Sequence, residues 1–203
     1  HVPFDLAAEG LALLVIDTKA KHSLDDGQYG ARRAACERAA EILGVELLVD
    51  IAIEDLPGAL ERLAATDGDD ADDADELVKR TRHVVTEIDR TRRLVALLQD
   101  GQPLRGEKLA EAGRLMDASH ESLRVDYECT CPELDVAVEA ARAAGAHGAR
   151  MTGGGFGGSA IALVDADTVH DVARAVAEAY QREGFNPPAF LDAVPAAPAG
   201  RLA

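Results

Sequence analysis

The chain reads as an α+β fold, with helices packed on one face of a mixed or antiparallel sheet. Three observations predict it. The elements run strand, several helices, strand, strand, helix, strand, which breaks the regular alternation of a doubly wound parallel sheet. Two of the strands stand back to back around a glycine run. Hydrophobic residues make up 47% of the chain but aromatics only 3%, so Ala, Leu, Val and Ile must build the core. Small aliphatic side chains suit helices lying close on a sheet.

The first element is the apolar run Leu11 to Asp17, bounded by Gly10 and by polar Lys19, Lys21 and His22. It reads as a buried strand. Asp25-Asp26-Gly27 then signals a loop. Tyr29 to Leu43 carries Ala31, Ala34, Ala35, Ala39 and Ile42 at helical spacing, with Gly44 where a helix ends. Ile53 to Ala65 is a short helix with Pro57 in its first turn. Asp67 to Glu76 holds seven carboxylates in ten residues and reads as a solvated loop. No frame in it offers both the Gly and the Glu of an EF-hand.

Leu77 to Gln99 is a long helix with Leu77, Val84, Ile88, Val95 and Leu98 on its apolar stripe. Its cations Lys79, Arg80, Arg82, Arg90, Arg92 and Arg93 are expected to pair with carboxylates. Further helices are expected over Leu104 to Ala118 and Pro132 to Ala144. A short strand from Arg150 enters the glycine run, and Ser159 to Val164 leaves it as an apolar strand. Thr168 to Arg182 is a last helix, and Phe190 to Val194 a last strand before an Ala/Pro tail.

Length and charge narrow the function. Domains usually run ~100–200 residues, so 203 residues fit one compact domain and leave room for two small ones. A formal charge of −16 argues against a nucleic-acid surface and against an anionic membrane. No apolar run approaches the ~20 residues that span a bilayer. Cys36, Cys129 and Cys131 are an odd, small set, read as free thiols of a reducing compartment. Cys129-Thr130-Cys131 has no second Cys/His pair at the spacing of a structural zinc site. The start, His1-Val2-Pro3-Phe4-Asp5, has no signal-peptide pattern and no initiator Met, as in a processed chain or a piece of a longer one.

The run Gly153-Gly154-Gly155-Phe156-Gly157-Gly158 is the sharpest feature. Glycine takes positive φ freely and lacks a Cβ, so successive N–H groups can converge on an anion or let a ligand approach the backbone. A P-loop is excluded, because no Gly-Lys-Ser or Gly-Lys-Thr occurs. A Rossmann turn is excluded, because the run feeds a strand rather than a helix. The bland alternative is a tight turn between two strands.

The segment Ala149 to Ser159 resembles the third conserved motif of GHMP kinases in its galactokinase form. Val2 to Asp5, Val15 to Thr18, His22 with Tyr29 to Arg33 and Cys36-Glu37, and Arg82 to Glu87 with Arg90 also resemble that family, in the same order. So do Leu115 to His120, Ser122-Leu123, Tyr127-Glu128 and Cys131 to Asp135. The resemblance thus spans nearly the whole chain. One departure is Ile88, where the family usually has Asn.

The resemblance implies a ferredoxin-like C-terminal domain over 1–203, with 1–20 the junction strand from a missing N-terminal domain. It implies ATP-dependent phosphorylation of α-D-galactose at the anomeric hydroxyl, in the cytoplasm, as the first step of galactose catabolism. Tyr29 matches the tyrosine that contacts the sugar, and Gly153, Gly154, Gly155, Gly157 and Gly158 match the active-site glycine loop. The Ser-rich loop that holds Mg-ATP and the catalytic aspartate have no match, so this chain supplies no catalytic residue and no metal ligand, and the isolated chain is expected to be inactive. Partners are galactose, ATP and the N-terminal domain. Two other readings share the resemblance: another sugar kinase, for N-acetylgalactosamine or arabinose, or a non-catalytic galactose sensor.

The lone residues carry less. On its own, Tyr29 at a helix start also reads as a ring packed in a crevice. His22 has a pKa suited to a base, but a lone histidine is more often structural. Asp117, Ser119 and His120 hint at a hydrolase triad, yet near neighbours on one helix diverge, and no nucleophile elbow occurs. Ser119 is expected to cap or end its helix.

Overall fold

The computed structural model describes residues 5–20, 27–66 and 71–193. The expectations that rest on Val2-Pro3-Phe4, on His22, on Asp25-Asp26 and on the Ala/Pro tail lie outside them.

Ten helices and strands follow in order: β1 (Leu11–Asp17), α1 (Gln28–Leu43), α2 (Leu56–Ala64), α3 (Ala71–Gln99), α4 (Glu107–Val125), α5 (Pro132–Ala143), β2 (Gly148–Thr152), β3 (Ser159–Asp165), α6 (Val169–Glu183) and β4 (Ala189–Asp192). The strands form one sheet in the order β2-β3-β1-β4, and each neighbouring pair is antiparallel. β1 and β2 flank β3, while β3 and β4 flank β1. These are two interleaved βαβ units, the split arrangement of the ferredoxin-like fold. The first unit carries α1 to α5 between its strands.

Alternation of side chains sorts the sheet into two faces. Leu14, Ile16, Met151, Ala160, Ala162 and Val164 turn to α5 and α6, where Leu134, Val138, Val172, Val176 and Tyr180 meet them, all buried. Burying a leucine fully stabilises a fold by about 1.5–3 kcal/mol. Alanines at 149, 160 and 162 let the helices sit close. The helices of this layer pack on one face of an antiparallel sheet, as the sequence predicts for the main layer. α3 and α4 also reach part of the other face, where Leu104, Ala112 and Met116 join Leu11 and Leu163. A second small core of Ala35, Ala39, Leu43, Leu63 and Leu77 binds α1, α2 and α3 into a bundle.

Two expectations need correction. Residues 71–76 are not loop: they form the first turns of α3. Acidic side chains suit a helix N-terminus, where the aligned peptide dipoles leave partial positive charge. They also find cations: Asp75 pairs with Lys79, Glu76 with Arg80 and Asp73 with Arg38. Residues 67–70 lie outside the described part. The other correction concerns α4, which starts at Glu107 and runs to Val125 rather than ending at Ala118. Ser119, His120 and Ser122 are buried inside it, beside Leu115, Met116 and Leu123, so polar residues share its inward face.

Candidate functional site: the glycine loop and its supports

Thr152 and Ser159 form the last pair of the β2–β3 hairpin, so residues 153–158 make the turn. Gly153, Gly155, Gly157 and Gly158 have positive φ, at 87°, 85°, 131° and 86°. Turn geometry therefore accounts for four of the five glycines. Gly155 has a second reason: a Cβ there would lie 2.2 Å from the carbonyl oxygen of Cys129. The loop leans on that segment, and the Phe156 N–H donates to the Cys129 carbonyl at 2.7 Å. Thr18, at the end of β1, holds the far end by donating its hydroxyl to the Gly158 carbonyl at 2.6 Å.

Gly154 is different. Its φ is not positive, nothing stands within 4 Å of where its Cβ would be, and it is exposed. Nothing in the chain's own fold requires glycine there.

β2, which delivers the loop, is held by α4. Gly113 and Gly148 meet backbone to backbone, and a Cβ on Gly113 would lie 1.7 Å from the His147 carbonyl oxygen. Two outward N–H groups of this edge strand find side chains on α4. Ala149 donates to Asp117 Oδ1 at 3.0 Å, and Met151 donates to His120 Nδ1 at 3.2 Å. Alternate residues of a strand thus meet helix positions three apart, and the helix covers the strand edge. Because Nδ1 accepts, the His120 proton sits on Nε2, which faces Asp135 Oδ1 at 3.2 Å. Ser119 donates to Glu87 at 2.6 Å. Asp117, Ser119 and His120 therefore diverge to three partners, as expected of residues that form no triad, and Ser119 neither caps nor ends the helix.

Beside β2, Glu87 on α3 accepts from Ser119, Arg90 and Arg150. Burial alone would raise its pKa, but Ser119, Arg90 and Arg150 together hold it below the usual carboxylate range. Deeper along α3, His83 meets Ser122 at 3.0 Å, and burial pushes its pKa down to about 4. Burial raises the Tyr127 phenol to about 12 and the Cys129 thiol to about 11. The three cysteines are free thiols. Arg80, buried on α3, donates to the Asp126 carbonyl and to Glu128, and Arg82 pairs with Asp126. The expected pairing of the α3 cations with carboxylates holds at these positions.

Tyr29 stands in the first turn of α1 with 68% of its surface exposed, so it does not fill a crevice of this chain. One turn on, Arg32 donates to the carbonyls of Tyr127 and Glu128 and lies over the Phe156 ring. The end of α1 that bears Tyr29 thus abuts the glycine loop. Sequence reasoning missed Arg32, Gly113 and Glu87 as parts of this region. The one available signal was helix phase, since Tyr29 and Arg32 are three apart.

Residues 94–182 match the family described as GHMP kinases C terminal. The galactokinase of Streptomyces coelicolor is 49% identical over 202 residues, covering 100% of this chain and 49% of the relative. The chain is thus similar to galactokinases along its whole length, and part of it to the C-terminal region of GHMP kinases. The galactokinase of Mycobacterium tuberculosis is 44% identical over 188 residues, covering 93% of this chain and 47% of the relative. The crystal structure of Lactococcus lactis galactokinase complexed with galactose superposes with a TM-score of 0.80 at 31% identity, covering 94% of this chain and 46% of that one. The chain spans about half the length of the galactokinases it matches. No helix among the described residues is long and apolar enough to cross a membrane.

Proposed function

We propose that this chain is part of a galactokinase, which transfers the γ-phosphoryl group of ATP to the anomeric hydroxyl of α-D-galactose. The observation that carries this is 49% identity to a galactokinase along the whole chain, rather than at the glycine run alone. The relatives named above are galactokinases, so this reading is preferred to another sugar kinase or to a sensor. In it, residues 1–203 form one domain packed against an N-terminal domain, with 1–20 as the junction, and the protein works in the cytoplasm. Within that junction, β1 pairs with both β3 and β4.

Tyr29 contacts the sugar, and its exposure at the start of α1 leaves the hydroxyl available. The loop of Gly153, Gly154, Gly155, Gly157 and Gly158 lines the cleft where the phosphoryl group passes. The bare, open backbone at Gly154 fits close approach of a phosphate oxygen. Mg-ATP supplies the phosphoryl group when bound, held mainly by the N-terminal domain, which also brings the catalytic aspartate. This chain orients: Thr18 and the Cys129 carbonyl hold the loop, and α1 presents Tyr29.

A coupled ADP-release assay tests the reading. The gene product carrying this chain should show galactose-dependent turnover, and the 203-residue chain alone should show none. Tyr29→Phe in the gene product should raise the KM for galactose by about three- to tenfold, the loss of one neutral hydrogen bond, with ATP binding largely intact. An unchanged KM with a lower melting temperature would make Tyr29 a packing residue.

A further inference from the structure

We propose that Arg32 is a positioning residue that holds the glycine loop in its working shape and couples it to the sugar-side end of α1. The inference rests on the function proposed above. It starts from two strained residues. Glu128 and Phe156 are not glycines, yet they have φ of 51° and 58°. Such backbone persists only where surroundings over-determine it, and it gathers at functional sites.

The two strained residues belong to segments that touch, through the 2.7 Å bond from the Phe156 N–H to the Cys129 carbonyl. One guanidinium spans both. Arg32 Nε donates to the Tyr127 carbonyl at 2.9 Å and Nη2 to the Glu128 carbonyl at 3.0 Å. Its Nη1 donates to Gln28 on its own helix at 3.1 Å. Its central carbon stands 5.7 Å from the centre of the Phe156 ring. A planar fork with its donors in fixed directions makes all these contacts at once, and a lysine ammonium cannot.

Phe156 sits in the middle of the turn, between Gly155 and Gly157. Were its backbone to relax from positive φ, the N–H vectors of the glycines beside it would turn. Tyr29 is three residues before Arg32, on the same face of α1. A shift of α1 at the sugar would therefore reach the loop through Arg32, and loop movement would reach Tyr29 by the same route.

The test uses the full gene product with Arg32→Lys and Arg32→Met, the latter keeping the apolar stem. Three quantities are read: melting temperature, kcat and KM for each substrate, and peptide-resolved hydrogen exchange across residues 155–158. In both variants the loop amides should exchange at least about tenfold faster while β1 and β3 amides do not change. Turnover should fall by about tenfold or more, with the KM for ATP nearly unchanged, because misplacement acts on the transition state. Unchanged exchange and unchanged kcat would overturn the proposal. So would full activity of Arg32→Lys, or a fall in melting temperature with wild-type kcat per folded molecule. If Arg32→Met does not fold, Arg32→Lys carries the test. If the wild-type product does not phosphorylate galactose, the kinase reading fails, and loop exchange alone decides whether Arg32 holds the loop.

Discussion

The helical bundle of α1, α2 and α3 and the α4–β2 region use their glycines in opposite ways, and outer helical surfaces use their charges differently from the surroundings of β2 and the loop. In the bundle, Gly58 lies within α2 with nothing within 4 Å of its missing Cβ. In the other region, Gly113 lies within α4 with the His147 carbonyl 1.7 Å from that point. On outer helical surfaces the charges pair along one helix, as in Arg174–Asp171 on α6 and Arg124–Glu121 on α4. Around β2 and the loop they bond the backbone of another element: Asp117 to Ala149, His120 to Met151, Arg32 to Tyr127 and Glu128. The first kind decorates a helix that packing already holds. The second fixes where one element stands against another, which is what a site needs.

The largest expected effect tests the glycine half of this contrast. Gly113→Ala must push α4 off β2, because the clash is with backbone that cannot rotate away. We expect a loss of about 3–4 kcal/mol, or failure to fold. Gly58→Ala, in open space within a helix, should instead stabilise by about 0.5–1 kcal/mol. Denaturant midpoints measure both. Equal effects would erase the distinction between the two regions.

Next comes pH. His83 is buried and its folded pKa is lowered from 6.5 to about 4. The unfolded state therefore binds the proton first, and stability falls as pH drops through this window. Between the two values the loss attributable to His83 should reach roughly 3 kcal/mol. Unfolding curves at a series of pH values read it, and His83→Gln should remove that part of the slope. A slope that His83→Gln leaves intact would place the acid sensitivity in carboxylates such as Glu87.

Smaller again is a matched pair of charge deletions. Asp117→Ala leaves the Ala149 N–H of a buried strand residue without its acceptor, at a cost of about 1–3 kcal/mol. Arg174→Ala removes one partner of an exposed pair within α6 and should cost less than about 0.5 kcal/mol. If the two proved equal, anchoring of one element's backbone by another's side chain would count for no more than pairing along one helix.

The same contrast explains what sequence alone disclosed. Strands β1 and β3 are legible as short apolar runs between turn signals, and helices α1 and α6 from small and apolar residues at helical spacing, with α5 marked by Pro132 at its start and Gly145 past its end. The glycine loop was legible because five glycines in six residues have few explanations. α4 was cut short because Ser119, His120 and Ser122 face inward, and polar residues in a pattern read as outward. Leu104 was drawn into that helix although it fills the core from outside it. Arg80, Thr81 and His83 were hidden for the same reason on α3. The acidic start of α3 was read as loop because its charge outweighed the pairing that Lys79, Arg80 and Arg38 provide. Which glycine answers to the fold and which does not was beyond sequence, because that depends on φ and on what stands nearby.

The smallest expected effect on stability falls at Gly154. The other loop glycines are held by positive φ, and Gly155 by the Cys129 carbonyl as well. Gly154 has neither constraint, so an added methyl meets empty space and needs no unusual backbone. Alanine also narrows the unfolded ensemble, which offsets any slight loss, so Gly154→Ala should melt within about 0.5 kcal/mol of wild type or slightly above it. Activity in the full gene product should behave differently. If the backbone at 154 lies against the transferred phosphoryl group, a methyl intrudes where only hydrogen fits, and kcat should fall by about a hundredfold. Gly154→Val should lower it further while the melt stays flat. Gly155→Ala is the internal control, since it should lose stability and activity together. A Gly154→Ala enzyme with wild-type kcat would remove position 154 from the proposed cleft and leave the glycine run a turn braced by its neighbours.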